Sequence, residues 1–390
     1  MRWVTLFRNL ANVMLVKDVG QIPLHLRESH GLDASLTGYH LEEDYPLLRG
    51  AAQKLPVTFI NPGKQFKYLD TGVISYLFKE ARNIDILNLY HFEPHTFFYG
   101  VLYKFLNPKG FLYIKLDNDL RTLESGNGLY PYGKPIAKTL FTPLENLFRK
   151  KTDLLTIETT KGHSLISKEY PDLAGKLAVI PNGVDTDIMR QDYDFSSVTP
   201  EIKENIIITV ARLGTKQKNT SGFLEALTKV NLTGWKVYLV GPVEAEFEPY
   251  KKEFFEKYPH LGDTVIFTGN ISERKELYSL YAKAKIFCLP SLWESFGIVI
   301  LEALLFGCHV ISTNFVSVGD LLPTDMTLGT IVPIGDIDAL SNAITDTTKR
   351  EIKQNDITNA QQYVLNNYDW KNITAELKAK IIPPQNDSTN

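Results

Sequence analysis

Two glutamates, Glu294 and Glu302, lie in a segment with the pattern strand, loop and helix. A strand-like run at 286–289 comes first, Glu294 falls in the loop, and Glu302 interrupts an apolar helical run at 298–306. An unpaired carboxylate is costly to bury among apolar side chains, so a functional role explains Glu302 better than a solvated surface position does. Ligands of open α/β sheets bind at the carboxyl ends of strands. The sequence therefore predicts that the two carboxylates contact different parts of one extended ligand.

The start of the predicted helix suits an anionic or hydroxyl-rich ligand. The amides near Phe296, Gly297 and Ile298 precede the first hydrogen-bonded turn and lie at the positive end of the helix dipole. Gly297 has no side chain, so a ligand can approach the backbone closely. We therefore expect phosphate or sugar hydroxyl groups at these three residues.

Two cations, Arg212 and Lys218, follow a strand-like run at 206–210. A diphosphate leaving group gains negative charge as the bond to it breaks, and two fixed cations stabilise that charge without a metal ion. Either cation alone is typical of an ordinary surface. Lys216 is the alternative to Lys218 as the second cation.

The elements that position these residues alternate between strand and helix patterns, which is typical of parallel α/β sheets. The first half has strand-like runs at 4–7, 34–37, 57–60, 84–89, 111–115, 154–158 and 178–180. The second half has them at 206–210, 236–240, 264–267, 286–289 and 309–312. Two such sheets in 390 residues predict two Rossmann-like domains, at 1–190 and 191–372.

Composition argues against several classes of protein. The formal net charge of −3 argues against a nucleic-acid-binding surface over the whole protein, because such surfaces carry a basic excess. Cys288 and Cys308 lie in apolar runs, which predicts buried thiols of a reduced cytoplasmic protein, without a disulfide or zinc site. The stretch 1–16 lacks the features of a signal peptide, and no apolar run is long enough to span a membrane. We expect a cytoplasmic protein whose membrane contact, if any, is peripheral.

The motif around the glutamates resembles that of the family 4 glycosyltransferases, retaining enzymes of the GT-B fold. The family signature is Glu, seven residues, Glu after a Pro-Ser loop, and this chain has Pro290-Ser291, Glu294-Ser295-Phe296-Gly297 and Glu302-Ala303. The run Val210-Ala211-Arg212-Leu213 with Lys218 is similar to the family's diphosphate clamp, in a loop one residue longer than usual. Segments 180–185 and 267–270, the second ending at Asn270, are similar to the interdomain turn and to part of the nucleotide pocket. The resemblance covers 178–372 well and the first half loosely.

The resemblance implies both an activity and an architecture. It implies transfer of a sugar, with retention, from a nucleotide-diphosphate sugar, above all a UDP-sugar, to a saccharide or lipid-linked acceptor. The expected pathway makes a polysaccharide or another cell-surface glycan, and no metal or separate cofactor is expected. Two facing Rossmann-like domains would hold the active site in the cleft, and a last helix at about 373–390 would rejoin the first domain. Glu294 would orient the sugar and Glu302 the ribose, while Arg212 and Lys218 would hold the diphosphate.

Other functions occur on the same fold. Nucleotide-sugar epimerases are the main enzymatic alternative, and phosphorylases are a third class. A catalytically inactive glycosyltransferase that supports an active partner is the non-enzymatic alternative. Such a protein is expected to lose the clamp or the glutamates, and this chain keeps both.

The first half offers weaker candidates for the acceptor side. Gly20 follows the first strand at the opening of a helix, where a glycine either admits a phosphate or acceptor or simply makes a tight turn. His91 lies just past a strand, where the resemblance implies a histidine that contacts the donor sugar, and His95 is the alternative.

The run Asp117-Asn118-Asp119 has the form of the Asp-x-Asp metal motif of another glycosyltransferase fold. The surrounding βα pattern does not fit that fold, and a turn after the strand at 111–115 is the preferred interpretation. We predict no required metal.

An apolar stripe with basic neighbours occupies residues 134–151. Its apolar members are Ile136, Leu140, Phe141, Leu144, Leu147 and Phe148, and its basic members are Lys134, Lys138, Arg149, Lys150 and Lys151. The stripe is explained either by docking on an anionic membrane near a lipid-linked acceptor or by a core-facing helix with a solvated basic end. The second explanation is the preferred one.

Overall fold

The structure is a computed structural model that describes residues 1–117, 120–126, 128–130, 132 and 135–382. Within helices, it leaves the side chains of 120, 124 and 135–137 outside this description. The chain divides into two compact units: Met1–Gly183 joined by the segment from Trp370 onward, and Val184–Asp369. The limits drawn from the sequence, at 190 and 372, stay predictions beside these limits, and residues 383–390 of the expected last helix lie outside the described residues.

The first unit is built on a seven-stranded parallel sheet with a small antiparallel hairpin beside it. Its strands are β1 (Arg2–Leu6), β2 (Asp33–Tyr39), β3 (Val57–Ile60), β4 (Gln65–Phe66), β5 (Leu69–Asp70), β6 (Ile86–Tyr90), β7 (Phe111–Lys115), β8 (Leu154–Ile157) and β9 (Leu177–Val179). The sheet order is β3-β2-β1-β6-β7-β8-β9, and β4 pairs with β5 as the hairpin. The order reverses between β1 and β6, which makes that point the switch point of the sheet.

Helices connect the strands of the first unit. They are α1 (Asp18–Glu28), α2 (Thr71–Glu80), α3 (Pro94–Leu106), α4 (Leu120–Glu124), α5 (Pro135–Lys151) and α6 (Thr160–Glu169). Pro94 begins α3, where a missing amide proton costs no helical hydrogen bond. The Thr159 hydroxyl accepts a 3.0 Å hydrogen bond from the Gly162 amide and so caps α6.

The second unit is built on a six-stranded parallel sheet. Its strands are β10 (Glu204–Val210), β11 (Lys236–Val240), β12 (Val265–Gly269), β13 (Ala284–Leu289), β14 (His309–Thr313) and β15 (Gly329–Val332). The order β12-β11-β10-β13-β14-β15 is that of a doubly wound Rossmann sheet, with its switch point between β10 and β13.

Helices cover both faces of the second sheet, as a parallel sheet requires. They are α7 (Thr186–Asp192), α8 (Thr220–Leu227), α9 (Glu248–Lys257), α10 (Arg274–Lys283), α11 (Val299–Leu305), α12 (Val318–Leu321), α13 (Ile337–Thr348) and α14 (Gln354–Tyr368). The Asp336 carboxylate accepts a 2.8 Å hydrogen bond from the Ala339 amide, which caps α13.

The last helix, α15 (Trp370–Ile381), belongs to the first unit. Trp370 and Leu377 of α15 are buried in one apolar cluster with Ile22 of α1 and Trp3 of β1. Burial of these large side chains fixes α15 on the first sheet. Among the described helices, none combines the length and apolar composition needed to cross a bilayer.

Candidate active site

The loops that follow β10 and β13 meet at the switch point of the second sheet. The Leu292 amide donates to the Gln217 carbonyl at 2.8 Å, and Gln217 Nε2 donates to the Trp293 carbonyl at 3.1 Å. Asn219 Nδ2 donates to the Pro290 carbonyl at 3.3 Å. These bonds join two loops from neighbouring strands into one support for the side chains they carry.

Glu294 is the centre of this support. Lys218 Nζ lies 2.5 Å from Glu294 Oε1, and the Ser291 hydroxyl donates to the same oxygen at 2.6 Å. Gln217 Nε2 donates to Glu294 Oε2 at 3.3 Å. The Glu294 side chain is only 8% exposed, so its orientation is held from three directions. The structure thus brings Glu294 and Lys218 together, whereas Lys216 is exposed to solvent.

Arg212 occupies a different electrostatic setting. Its side chain is 64% exposed, and Nε lies 3.1 Å from Glu244 Oε1. An exposed ion pair of this kind contributes roughly 0–1 kcal/mol, so an anionic ligand can displace Glu244 at little cost. The two predicted clamp cations are therefore held by two different carboxylates.

Glu302 lies half-buried on α11 against α10. The Tyr281 hydroxyl donates to Glu302 Oε2 at 3.3 Å. Burial raises the pKa of Glu302, while the charge of Arg274 and the Tyr281 hydrogen bond oppose that rise. The carboxylate that interrupts the apolar run is therefore partnered from α10.

The three residues at the predicted helix start differ in backbone conformation and in exposure. Gly297 has φ +89°, and a Cβ there would lie 3.0 Å from Phe315 Cζ, so the position favours glycine. Phe296 is 3% exposed, and its carbonyl accepts a 2.6 Å bond from the Ser317 hydroxyl. Ile298 is 39% exposed. The amide of Ile300 donates to the Gly297 carbonyl at 3.0 Å, so the amides before it precede the helical ladder.

The loops after β11 and β12 lie further along the sheet. Gly241, directly after β11, has φ +132°, and a Cβ there would lie 1.9 Å from the Ala211 carbonyl oxygen. The chain after β10 therefore runs close beside the chain after β11, and the Leu213 amide donates to the Pro242 carbonyl at 2.8 Å. Asn270 follows β12, two strands from β10, and is exposed with Nδ2 donating to Ser272 Oγ at 3.2 Å.

A polar pocket of about 250 Å³ lies at the switch point of the first sheet, between the ends of β1 and β6. Its polar lining residues include Arg8, Asn9, His91, Glu93, His95 and Tyr99. Arg8 Nη1 lies 2.7 Å from Asp70 Oδ2, and Asp70 is 1% exposed. A buried carboxylate thus fixes the guanidinium in the wall of the pocket.

Both candidate histidines line this polar pocket. His91 has φ +64°, a left-handed conformation that is unusual for a residue with a side chain. Its amide donates to the Lys115 carbonyl at 3.0 Å, and Nδ1 lies 3.1 Å from the Asp117 carbonyl oxygen. Backbone strain of this kind is concentrated at functional sites. Burial lowers the pKa of His95, the second histidine.

Gly20 has an intramolecular explanation. It is the third residue of α1, and a Cβ there would lie 2.3 Å from the Leu15 carbonyl oxygen. The preceding turn, Asn12–Val16, therefore packs directly on the glycine. This contact requires a glycine whether or not a ligand also approaches it.

A buried charged cluster lies at the carboxyl ends of β7 and β8. Lys115 is fully buried, with Nζ 3.7 Å from Glu158 Oε1, and Asn182 Nδ2 donates to the same oxygen at 2.5 Å. Burial raises the pKa of Glu158 to about 8; Lys115 opposes the shift, and Asp117 and Asp18 add to it. Asn118 and Asp119 of the Asp-x-Asp run lie outside the described residues, and the described residues contain no group of three side chains placed to hold a metal ion.

The second unit of the chain matches a known protein family. Residues 191–363 match the family model Glycosyl transferases group 1. They lie within the second unit, and the matched residues are called the group 1 glycosyltransferase domain. The bonded Glu294 and Lys218 and the carboxylate Glu302 are all in this domain.

Relatives of the group 1 glycosyltransferase domain have more than one function. The chain is 31% identical over 163 residues to the probable sucrose-phosphate synthase of Thermosipho melanesiensis, covering 40% of this chain and 37% of that protein. It is 26% identical over 218 residues to the sulfoquinovosyl transferase SQD2 of Arabidopsis thaliana, covering 53% of this chain and 39% of that one. The matches thus span well under two thirds of these relatives.

The fold extends beyond the group 1 glycosyltransferase domain to both units. The crystal structure of Anabaena HepE in complex with UDP and glucose matches with a TM-score of 0.70 and 18% identity, covering 98% of this chain and 99% of that one. At that identity the likeness shows the fold alone. The predicted α/β GT-B fold, with two Rossmann-like parallel sheets, is confirmed.

Several residues of these sites were not predicted from the sequence. In the group 1 glycosyltransferase domain they are Gln217, Arg274 and Tyr281; in the first unit they are Arg8 and Asp70. Arg274 and Tyr281 are seven residues apart on α10 and so share one helix face, which is a usable signal. Gln217 and Asp70 act through tertiary contacts that no local pattern indicates.

Proposed function

We propose that this chain transfers a sugar, with retention, from a nucleotide-diphosphate sugar to an acceptor hydroxyl. The observation that carries the proposal is the contact of Lys218 with Glu294 at the switch point of a group 1 glycosyltransferase domain. A doubly wound sheet binds its ligand at this point. A UDP-sugar is the proposed donor, supported by the UDP and glucose in the similarly folded HepE structure.

The proposed reaction assigns each charged group a task. The bond between the sugar's anomeric carbon and the diphosphate oxygen breaks, and the acceptor oxygen forms the new bond on the same face. The acceptor proton passes to the leaving diphosphate, whose charge Arg212 and Lys218 stabilise. Glu294 orients the sugar and Glu302 the ribose.

The ion pair between Lys218 and Glu294 supports the role proposed for Lys218. In the structure Lys218 is neutralised by Glu294, and a diphosphate would attract the same ammonium as it gains charge. Both cations are proposed to act without a metal ion and without a separate cofactor.

The proposed setting is polysaccharide or cell-surface glycan synthesis at the cytoplasmic face of a membrane. Leu140 and Leu147 of α5 are 72% and 42% exposed, and Lys150 and Lys151 are exposed beside them. These side chains support a peripheral contact through 134–151, although Phe148 of the same stripe is buried in the core. Lys134 and the side chain of Ile136 lie outside the described residues.

A panel of nucleotide-sugars tests the donor class. A bound donor stabilises the folded protein by about 2.7 kcal/mol at a hundredfold excess over Kd. We expect the melting temperature to rise with one nucleotide-diphosphate sugar and with its nucleoside diphosphate, and to rise much less in the Glu294→Ala variant. A panel without effect on the wild-type protein would contradict the proposal.

Nucleotide-sugar epimerisation is the competing activity. An epimerase interconverts the free nucleotide-sugar and releases no nucleoside diphosphate. Incubating the protein with donor alone and following both products separates the two activities.

A further inference from the structure

An apolar groove of about 310 Å³ lies beside the polar pocket of the first unit. The β4–β5 hairpin, α3 and α5 form its walls. Its lining residues are Phe66, Lys67, Tyr68, Leu69, Pro94, Phe98, Phe141 and Leu144. Phe66 at the hairpin is 60% exposed, so the groove is open to solvent on that side. A concave apolar surface left open in this way is typical of a binding site.

The groove shares its walls with the polar pocket. On α3, Pro94 lines the groove and the next residue, His95, lines the pocket. On β5, Leu69 lines the groove while the next residue, Asp70, holds Arg8 of the pocket at 2.7 Å. The wall between the two sites is therefore only one residue thick, and one ligand can fill both.

Tyr68 connects the two sites directly. Its ring centroid lies 4.6 Å from that of Phe141 in the groove and 6.2 Å from that of His95 in the pocket. Lys67 is the charged side chain among the groove's lining residues, and its Nζ lies 5.0 Å from the centre of the Tyr68 ring. One cation at an apolar groove complements a ligand whose hydrocarbon part begins next to an anionic group.

We propose that the acceptor is amphipathic: its sugar lies in the polar pocket and its hydrocarbon chain, joined through a phosphate, lies in the apolar groove. This inference rests on the proposed glycosyl transfer and names the acceptor class, a lipid-linked saccharide. In this proposal Phe66 of the hairpin forms one wall of the groove that holds the hydrocarbon chain.

A series of alkyl β-glucosides below their micelle concentrations tests this inference by calorimetry on the full chain. Affinity should rise from methyl to butyl to octyl glucoside by about fourfold for each methylene that the groove buries. Phe66→Ser should weaken octyl glucoside about tenfold and leave methyl glucoside unchanged. Phe105→Ser is the matched control, because Phe105 is 79% exposed on α3 but is not a lining residue of the groove.

Three results would overturn the inference. Equal affinity for methyl and octyl glucoside would show that the groove takes no chain. Equal effects of Phe66→Ser and Phe105→Ser would show unspecific apolar binding. If the protein binds phosphatidylglycerol vesicles while its affinity for alkyl glucosides does not depend on their chain length, the groove is a membrane-docking face. Stabilisation of the same variants by UDP is measured in parallel, so that loss of donor binding is distinguished from failure of the groove.

Discussion

At the scale of single residues, the contact between Lys218 and Glu294 distinguishes two lysines of one loop. Lys218 Nζ lies 2.5 Å from Glu294, whereas Lys216 is exposed. Removing a group that stabilises developing charge lowers kcat about a hundredfold or more. We expect this loss in Lys218→Ala and a change of about twofold or less in Lys216→Ala, as for other surface substitutions. Initial rates with the identified donor measure both, and equal losses in the two variants would contradict the assignment.

We expect the stability of the protein to depend on pH through Glu158. Burial raises the pKa of Glu158 from 4.5 to about 8, so the folded protein keeps a proton that the unfolded chain has released. Stability contributed by such a group falls as pH rises through that window. We expect the melting temperature to drop between pH 5.5 and pH 8, and to drop less in Glu158→Gln. A variant with the same pH dependence as the wild type would show that Glu158 does not hold the proton.

At the scale of elements, the close approach of the segment after β10 to the segment after β11 depends on one glycine. A Cβ at Gly241 would meet the Ala211 carbonyl at 1.9 Å, whereas a Cβ at Gly269 meets nothing within 4 Å although φ is +70°. Gly269→Ala therefore measures backbone strain alone, about 1–2 kcal/mol. Gly241→Ala should cost more, because the loop must also move. Thermal denaturation compares the two variants, and equal destabilisation would contradict the close approach.

The limits of some strands could be predicted from the sequence alone. The limits predicted for the third and fifth strands of the first sheet, 57–60 and 111–115, agree with β3 and β7. Runs rich in β-branched and aromatic residues carry their own signal. The β4–β5 hairpin was missed because strands of two residues show no alternation. The strand β15, which was also missed, has the same length as β3 but begins with Gly329, a residue that is depleted in strands.

The candidate site was less accessible to sequence reasoning than the sheets. A carboxylate in an apolar helical run indicated Glu302, but its partner Tyr281 lies on another helix. Gln217, which joins two loops, and Asp70, which fixes Arg8, depend on which strands become neighbours. Only the fold sets those contacts. The roles assigned to the site residues stay predictions.

At the scale of the whole molecule, two sheets of similar topology each carry polar side chains at the switch point. In the first unit it carries the polar pocket with His91, and in the second the Lys218–Glu294 contact. The chain leaves the first unit after Gly183 and returns to it at Trp370. In the proposed reaction, the first unit supplies hydroxyl-binding groups and the second unit supplies the cations that bind the diphosphate.

Analysis of the products tests most directly whether the protein transfers a sugar to an acceptor. The protein is incubated with a UDP-sugar and octyl glucoside, with and without EDTA, and both UDP and the glycoside are measured. We predict UDP release that requires the acceptor and is unchanged by EDTA, together with a glycoside that has the donor's anomeric configuration. Interconversion of the free nucleotide-sugar without UDP release, or an inverted product, would contradict it.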